Sequence, residues 1–125
     1  MIQQPLDEFY QFKREKMEED RFRITMSATD LMRNSFGAIH GGVISTLIDS
    51  AMCNAAAGAD ELGKQLAVTV EMKINFLRPA FGNEYTADAL VVSRGNRLIY
   101  TECKVVDENG ELVATASGTY YRRKK

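Results

Sequence analysis

The sequence predicts an α+β fold, and three observations carry that prediction. RFRITMS, residues 21 to 27, alternates strictly between polar and apolar side chains, and the same two-residue period runs from Leu66 to Phe76. Between them VISTLIDSAMCNAAAGA, residues 43 to 59, is apolar almost all round and rich in Ala, Leu, Met and Ile, which favour helix. RGNR and ENG, both with hairpin-turn chemistry, divide the C-terminal part into short runs.

The elements follow in chain order. Leu6, Phe9, Tyr10 and Met17 fall near helical spacing among charged residues, so about Pro5 to Glu19 reads as a surface helix with Pro5 at its start. Residues 21 to 27 form the first strand, with Phe22, Ile24 and Met26 on one face. The irregular ATDLMRNSFGAIHGG leads into the long apolar helix, which must be buried. From Leu66 the apolar set Leu66, Val68, Val70, Met72, Ile74 and Phe76 marks a long strand with one wet face. Three further strands run near Glu84 to Val92, Leu98 to Asp107 and Glu111 to Tyr121. Strands joined by such short turns are antiparallel. The long helix then lies across one face of a sheet of about five strands, burying the alternating apolar set.

A single domain over residues 1–125 is expected, with residues 1–20 as its N-terminal helical part and 122–125 as a basic tail. A chain of this length removes about two-thirds of its unfolded surface from water. Apolar residues make up 45% and charged residues 26%, which excludes a disordered chain. Sixteen basic against seventeen acidic side chains steer the whole molecule toward neither nucleic acid nor acidic lipid. No signal-peptide core and no apolar run of about 18 residues is seen, so a cytoplasmic protein without a membrane partner is expected. Cys53 and Cys103 read as plain core thiols, and one His with two scattered Cys offers no metal-ligand set.

The chemistry concentrates in NSFGAIHGGVISTLIDSA, Asn34 to Ala51. Gly41 and Gly42 open the helix, where backbone N–H groups lack partners and carry the positive end of the helix dipole. Donors without side chains suit a carbonyl oxygen that gains negative charge, although Gly-Gly also permits a tight entry turn. Asp49 sits among Val43, Leu47, Ile48, Ala51 and Met52, where an ionised carboxylate costs several kcal/mol unless paired or used. It is either held by Thr46, Ser45 or a neighbouring strand, or it is a nucleophile or general base. Gly41 and Asp49 lie eight positions apart, roughly 12 Å along a helix axis. One carbonyl cannot meet both within one chain. Two copies with antiparallel helices about a two-fold axis bring the glycine end of one beside Asp49 of the other.

Asn34, Gly37, His40, Gly41, Gly42, Leu47 and Asp49 together form N-x-x-G-x-x-H-G-G-x-x-x-x-L-x-D, which resembles the signature of hotdog-fold acyl-CoA thioesterases of the phenylacetate-degradation (PaaI-like) type. VTVEMKINFLRPA, Val68 to Ala80, resembles the family's strand after the helix, and the order of elements matches to Tyr121. The resemblance implies a hotdog fold, an acyl-CoA substrate, water as second substrate and no cofactor. It further implies that Asp49 attacks or activates water, that the Gly41 N–H polarises the thioester carbonyl and that Asn34 orients water or carboxylate. His40 would support the loop, and Thr69 would face the site from the sheet, although a single His beside a turn is as readily structural. The family's dimers share their sites and commonly pair into tetramers. CoA phosphates need basic groups, and the turn Ser93-Arg94-Gly95-Asn96-Arg97 offers Arg94 and Arg97, with Asn96 standing where the family often has a basic residue. Phe36, Met52, Met72 and Phe76 are candidate acyl-pocket residues. A non-hydrolytic acyl-CoA binder, a hotdog hydratase or dehydratase, and a purely structural dimer stay open as alternatives.

Overall fold

Residues 4–58 and 67–122 are described by the computed structural model. Leu66, the expected start of the long strand, and residues 123–125 of the expected basic tail (122–125) lie outside the described residues, whereas Arg122 ends the last strand. The chain runs α1 (Pro5–Phe9), β1 (Lys13–Glu18), β2 (Arg21–Ser27), a 3₁₀ turn (Asp30–Met32), α2 (Gly41–Ala57), β3 (Ala67–Phe76), β4 (Glu84–Arg94), β5 (Leu98–Asp107) and β6 (Leu112–Arg122). The six strands form one sheet in the order β1-β2-β4-β5-β6-β3, with every neighbouring pair antiparallel. The expected α+β class and the wrapped central helix are both present.

The N-terminal segment departs from the expectation of one helix to Glu19. Pro5 starts a helix that ends after five residues, and Gln11 then takes a positive φ of 57°. Lys13–Glu18 is a strand instead, paired with β2 from Lys13↔Thr25 to Glu18↔Arg21, which raises the sheet from about five strands to six. KREKME is composed of good helix formers, but an exposed edge of β2 offers backbone partners that local propensity does not see. The facing of α1 is inverted as well. Leu6 and Phe9 are 53% and 76% exposed, whereas Asp7 is only 3% exposed.

α2 packs across the sheet against β2, β3, β4, β5 and β6. Leu47, Ile48, Ala51 and Met52 are wholly buried, together with Ile24 and Met26 from β2, Tyr85 and Ala87 from β4, Ile99 and Val105 from β5, and Ala114 and Tyr120 from β6. Among the described residues no helix is long and apolar enough to cross a membrane.

The register of β3 breaks between Thr69 and Glu71. Thr69 lies opposite Tyr120, but Met72 and Ile74 lie opposite Gly118 and Ala116, so the bulge at Val70 moves the helix-facing set from odd to even numbers. The unbroken alternation in the sequence would put Thr69 with Glu71 and Lys73 on the wet face. Through the bulge it turns toward α2, and Val68 and Val70 are left exposed.

Gly118 of the sheet packs tightly against Met52 of the helix. A Cβ there would lie 2.9 Å from Met52 Cε, 3.1 Å from the Tyr120 ring and 3.3 Å from the Glu71 carbonyl oxygen. Gly118→Val should therefore lose about 1–3 kcal/mol of stability through overpacking, read as a lower urea midpoint; an unchanged midpoint would mean that Met52 moves aside freely.

Candidate active site

The start of α2 is built by His40. Its backbone is extended (φ −60°, ψ 135°) and its Nδ1 accepts the Gly42 N–H at 2.8 Å, making it the N-cap. An accepting Nδ1 leaves the proton of the neutral ring on Nε2. A Cβ on residue 42 would stand 3.0 Å from that Nδ1, so a side chain there would press on the capping imidazole. Here the structure separates the two glycines: the Gly42 N–H, expected to face a ligand, is taken by His40. The Gly41 N–H has no partner among the described residues. A Cβ at Gly41 would meet only the Phe76 ring, at 3.5 Å.

Asn34 shapes the loop before the cap. Its Oδ1 accepts the N–H groups of Phe36 (2.9 Å) and Ala38 (3.2 Å), and its own N–H donates to Ala38 O. Arg33 fastens this loop through hydrogen bonds to Gly37 O, Gly82 O and Asn83 Oδ1. Asn34, Gly41 and Phe76 line a cavity of about 470 Å³.

Asp49 lies two turns into α2. Oδ1 accepts two hydroxyl hydrogen bonds, from Thr69 Oγ1 at 2.7 Å and from Tyr120 Oη at 2.6 Å. Among the described residues none donates to Oδ2. Ser45 and Thr46, the local partners considered for Asp49, bond back to Gly41 O and Gly42 O instead. Burial, and then the hydrogen bond to Asp49, push the Tyr120 phenol far above its usual range, so it stays a donor. Asp49, Thr69, Asp7, Ser50 and Cys53 line a second cavity, of about 250 Å³. The Asn34–Gly41 cavity shares no lining residue with it. Within one chain, then, the helix-start donor and the carboxylate open into separate spaces.

Two residues of this site were missed in the sequence. Tyr120 follows Ala114, Ala116 and Gly118 in the helix-facing register of β6, and that parity was the available signal. Asp7 receives Ser50 Oγ–H at 2.6 Å, with Arg14 Nη1 3.9 Å from its other oxygen, and it looked like an ordinary surface acid of a helix first turn.

The turn residues divide. Arg94 is drawn inward to the C-terminus of α2, donating to Ala56 O (2.9 Å) and Ala55 O (3.2 Å) and pairing with Asp20 at 2.8 Å. Its guanidinium completes a helix end rather than standing free at a channel mouth. Arg97 donates to Tyr121 Oη and lies over that ring, and Asn96 is exposed at the turn. Of the four acyl-pocket candidates only Phe76 lines a cavity named above. Met52 is sealed in the core, Met72 packs against it, and Phe36 is exposed. Cys103 is buried, and its thiol is pushed up to about 12 by burial. No three His, Cys, Asp or Glu among the described residues gather as a metal site.

A carboxylate oriented by two hydroxyls, on a helix whose first N–H is open, is equipment for attack on an activated carbonyl. Residues 36–114 match the model of the thioesterase superfamily, and the chain belongs to that superfamily. Within it the chain is a PaaI-like hotdog thioesterase. It is 32% identical over 110 residues to the acyl-coenzyme A thioesterase PaaI of Escherichia coli, covering 85% of this chain and 74% of that one. A putative esterase of Saccharolobus solfataricus is 31% identical over 118 residues (94% and 77% covered). The medium/long-chain acyl-CoA thioesterase YigI of Salmonella typhimurium is 29% identical over 94 residues (66% and 61%). Among solved structures, the E. coli PaaI protein superposes with a TM-score of 0.86 at 27% identity (97% and 86% covered). The BH2602 protein of Bacillus halodurans, solved with CoA, gives 0.86 at 29% (98% and 81%).

Two outcomes are expected. Tyr120→Phe removes one of the two donors that fix the direction of Asp49 and should lower thioester turnover several-fold through lost alignment of the carboxylate; undiminished turnover in a steady-state assay would leave Thr69 as sufficient. Arg94→Met uncovers the Ala55 and Ala56 carbonyls and should lower the stability read by denaturant unfolding by about 1–3 kcal/mol.

Proposed function

We propose that the protein hydrolyses acyl-CoA thioesters to free acid and CoA at two equivalent sites, each shared between the subunits of a homodimer. The observation that carries this reading is that the open Gly41 donor and the Asp49 carboxylate occupy cavities with no residue in common. A two-fold pairing with antiparallel α2 helices joins the glycine end of one copy to the Asp49 cavity of the other. The sheet edges support this pairing. β1 closes one edge with Lys13, Arg14, Glu15 and Lys16, charges that discourage further strand addition. β3 forms the other edge and exposes Val68, Val70 and Phe76, with Leu77 just beyond. Acyl-CoA as substrate is supported by the activities that name the E. coli and Salmonella relatives and by the CoA in the B. halodurans structure.

The thioester carbonyl oxygen takes the Gly41 N–H of one subunit, and the carbon faces Asp49 Oδ2 of the other. Oδ2 acts directly on the carbon or through a water whose proton it takes. In the second route the water oxygen bonds to the carbon, the C–S bond breaks, and CoA departs as a thiolate that recovers the proton. In the first, the C–S bond breaks as a mixed anhydride forms on Asp49, and water then splits the anhydride. The dipole of α2 and its open donor stabilise the oxyanion in both. His40 shapes that donor through the Gly42 cap, and Asn34 flanks it. Water is the only second substrate, and no cofactor takes part. Arg97 and Asn96 remain the candidates for contacts with the CoA nucleotide, and dimers pair into tetramers.

Asp49→Asn keeps the shape and removes the charge, so thiol release from a panel of acyl-CoAs should fall by orders of magnitude while the fold is retained; unchanged release would remove Asp49 from the mechanism. Proline is tolerated at the first position of a helix but has no N–H. Mixing Asp49→Asn chains with Gly41→Pro chains should therefore recover part of the activity, because one of the two sites in each heterodimer is intact. No recovery after proven subunit exchange would overturn the shared site.

A further inference from the structure

Asp7 is a buried carboxylate that the chemistry above does not use. It sits on α1, a helix of five residues, and faces the same cavity as Asp49. Oδ1 accepts the Ser50 hydroxyl at 2.6 Å, and Ser50 is the residue next to Asp49 in α2. Oδ2 is buried without a hydrogen bond. Arg14 of β1 stands 3.9 Å from it, beyond hydrogen-bond reach. Among the described residues, the other titratable groups facing this space are Asp49 and Cys53 from α2, with Tyr120 of β6 beyond Asp49. If Asp7 served only to pin α1 onto Ser50, an uncharged acceptor would do the same without placing a charge out of water. Instead the segment buries a negative charge where a second carboxylate already stands.

We propose that Asp7 is a positioning residue for Asp49: its negative charge, sealed beneath α1, counteracts the two hydroxyls on Asp49 and keeps that carboxylate reactive. Hydroxyl donors on Oδ1 fix the direction of Asp49 but stabilise its negative charge, which works against uptake of a proton or attack on a carbon. A like charge across the same cavity works the other way. Burial, with a smaller part from Asp49, pushes the Asp7 carboxyl above its ordinary value. Arg14 offsets part of the Asp7 charge and so sets how strongly it acts.

This inference rests on Asp49 as the attacking group of a thioesterase, and the test separates the two. The pH dependence of kcat/KM for an acyl-CoA that the wild-type chain hydrolyses is compared with that of Asp7→Asn and Arg14→Gln. In Asp7→Asn the acid limb of the profile moves to lower pH by about one unit, the scale of a lost like-charged neighbour, and the plateau falls several-fold. Arg14→Gln leaves the Asp7 carboxylate without its cation and moves the limb to higher pH. Asp7→Glu returns the limb toward the wild-type position. Limbs that coincide in wild type, Asp7→Asn and Arg14→Gln, with turnover intact, overturn the role of Asp7 and leave the thioesterase reading standing. Should Asp7→Asn not fold, Arg14→Gln decides alone: a limb that stays in place or moves to lower pH overturns the proposal. No thiol release by the wild-type chain at any pH removes both readings.

Discussion

The molecule is organised around one carboxylate on an apolar helix. Asp49 sits between Ile48 and Ala51, which are wholly buried, on a helix pressed into a sheet, and a charge in that setting demands partners. It finds them in Thr69 and Tyr120, which are direct register partners across β3 and β6. The pairing of two strands thus delivers two hydroxyls to a single oxygen. The bulge at Val70 makes this compatible with the core: Thr69 faces the helix, and one residue of slip later Met72 and Ile74 also face it. A strand without the bulge would lose either the hydroxyl or the apolar set.

The same helix is completed at both ends by side chains in addition to its own backbone bonds. At the start, His40 takes the Gly42 donor and leaves Gly41 open; at the other end Arg94 reaches from β4 to the last carbonyls. Each arrangement suits the dipole, with a cation at the negative end and an open donor at the positive end. The doubled glycine carries two distinct requirements. A Cβ on residue 42 would press on the imidazole that turns back over it, whereas residue 41 meets only ordinary contact with Phe76 among the described residues. The open space beside Gly41 is what a ligand would need.

Strong periodicity made most of the framework legible. RFRITMS is a strand with the bounds read from its alternation, LIYTECKVVD is one with the bounds read from the turns that flank it, and the apolar stretch from Gly41 is the central helix. The N-terminal segment misled for a physical reason. KREKME favours helix by composition, but strand formation there was decided by the free edge of β2, which no local window contains. The parity of Thr69 was hidden by a bulge that the alternating pattern does not announce. The cap role of Arg94 was equally hidden, because its partners Ala55 and Ala56 lie nearly forty positions away. Asp49 and Gly41 were legible because each breaks a local rule, an acid in an apolar run and glycines in a helix.

The N-terminal segment shows where stability and site chemistry meet. Five residues cannot hold a helix in water by themselves, since nucleation outweighs so few hydrogen bonds. Leu6 and Phe9 point outward, so apolar burial of those two does not hold α1 in place within this chain. It is held in part by the Ser50 hydrogen bond to Asp7, by Tyr10 and Phe12 just beyond it, which pack into the core, and by the continuation into β1, whose Arg14 faces the same carboxylate. The attachment of the segment to the core therefore includes a polar contact placed one residue from Asp49. A segment anchored in that way cannot shift without changing the electrostatic surroundings of the site, and the site cannot change charge without loading the anchor.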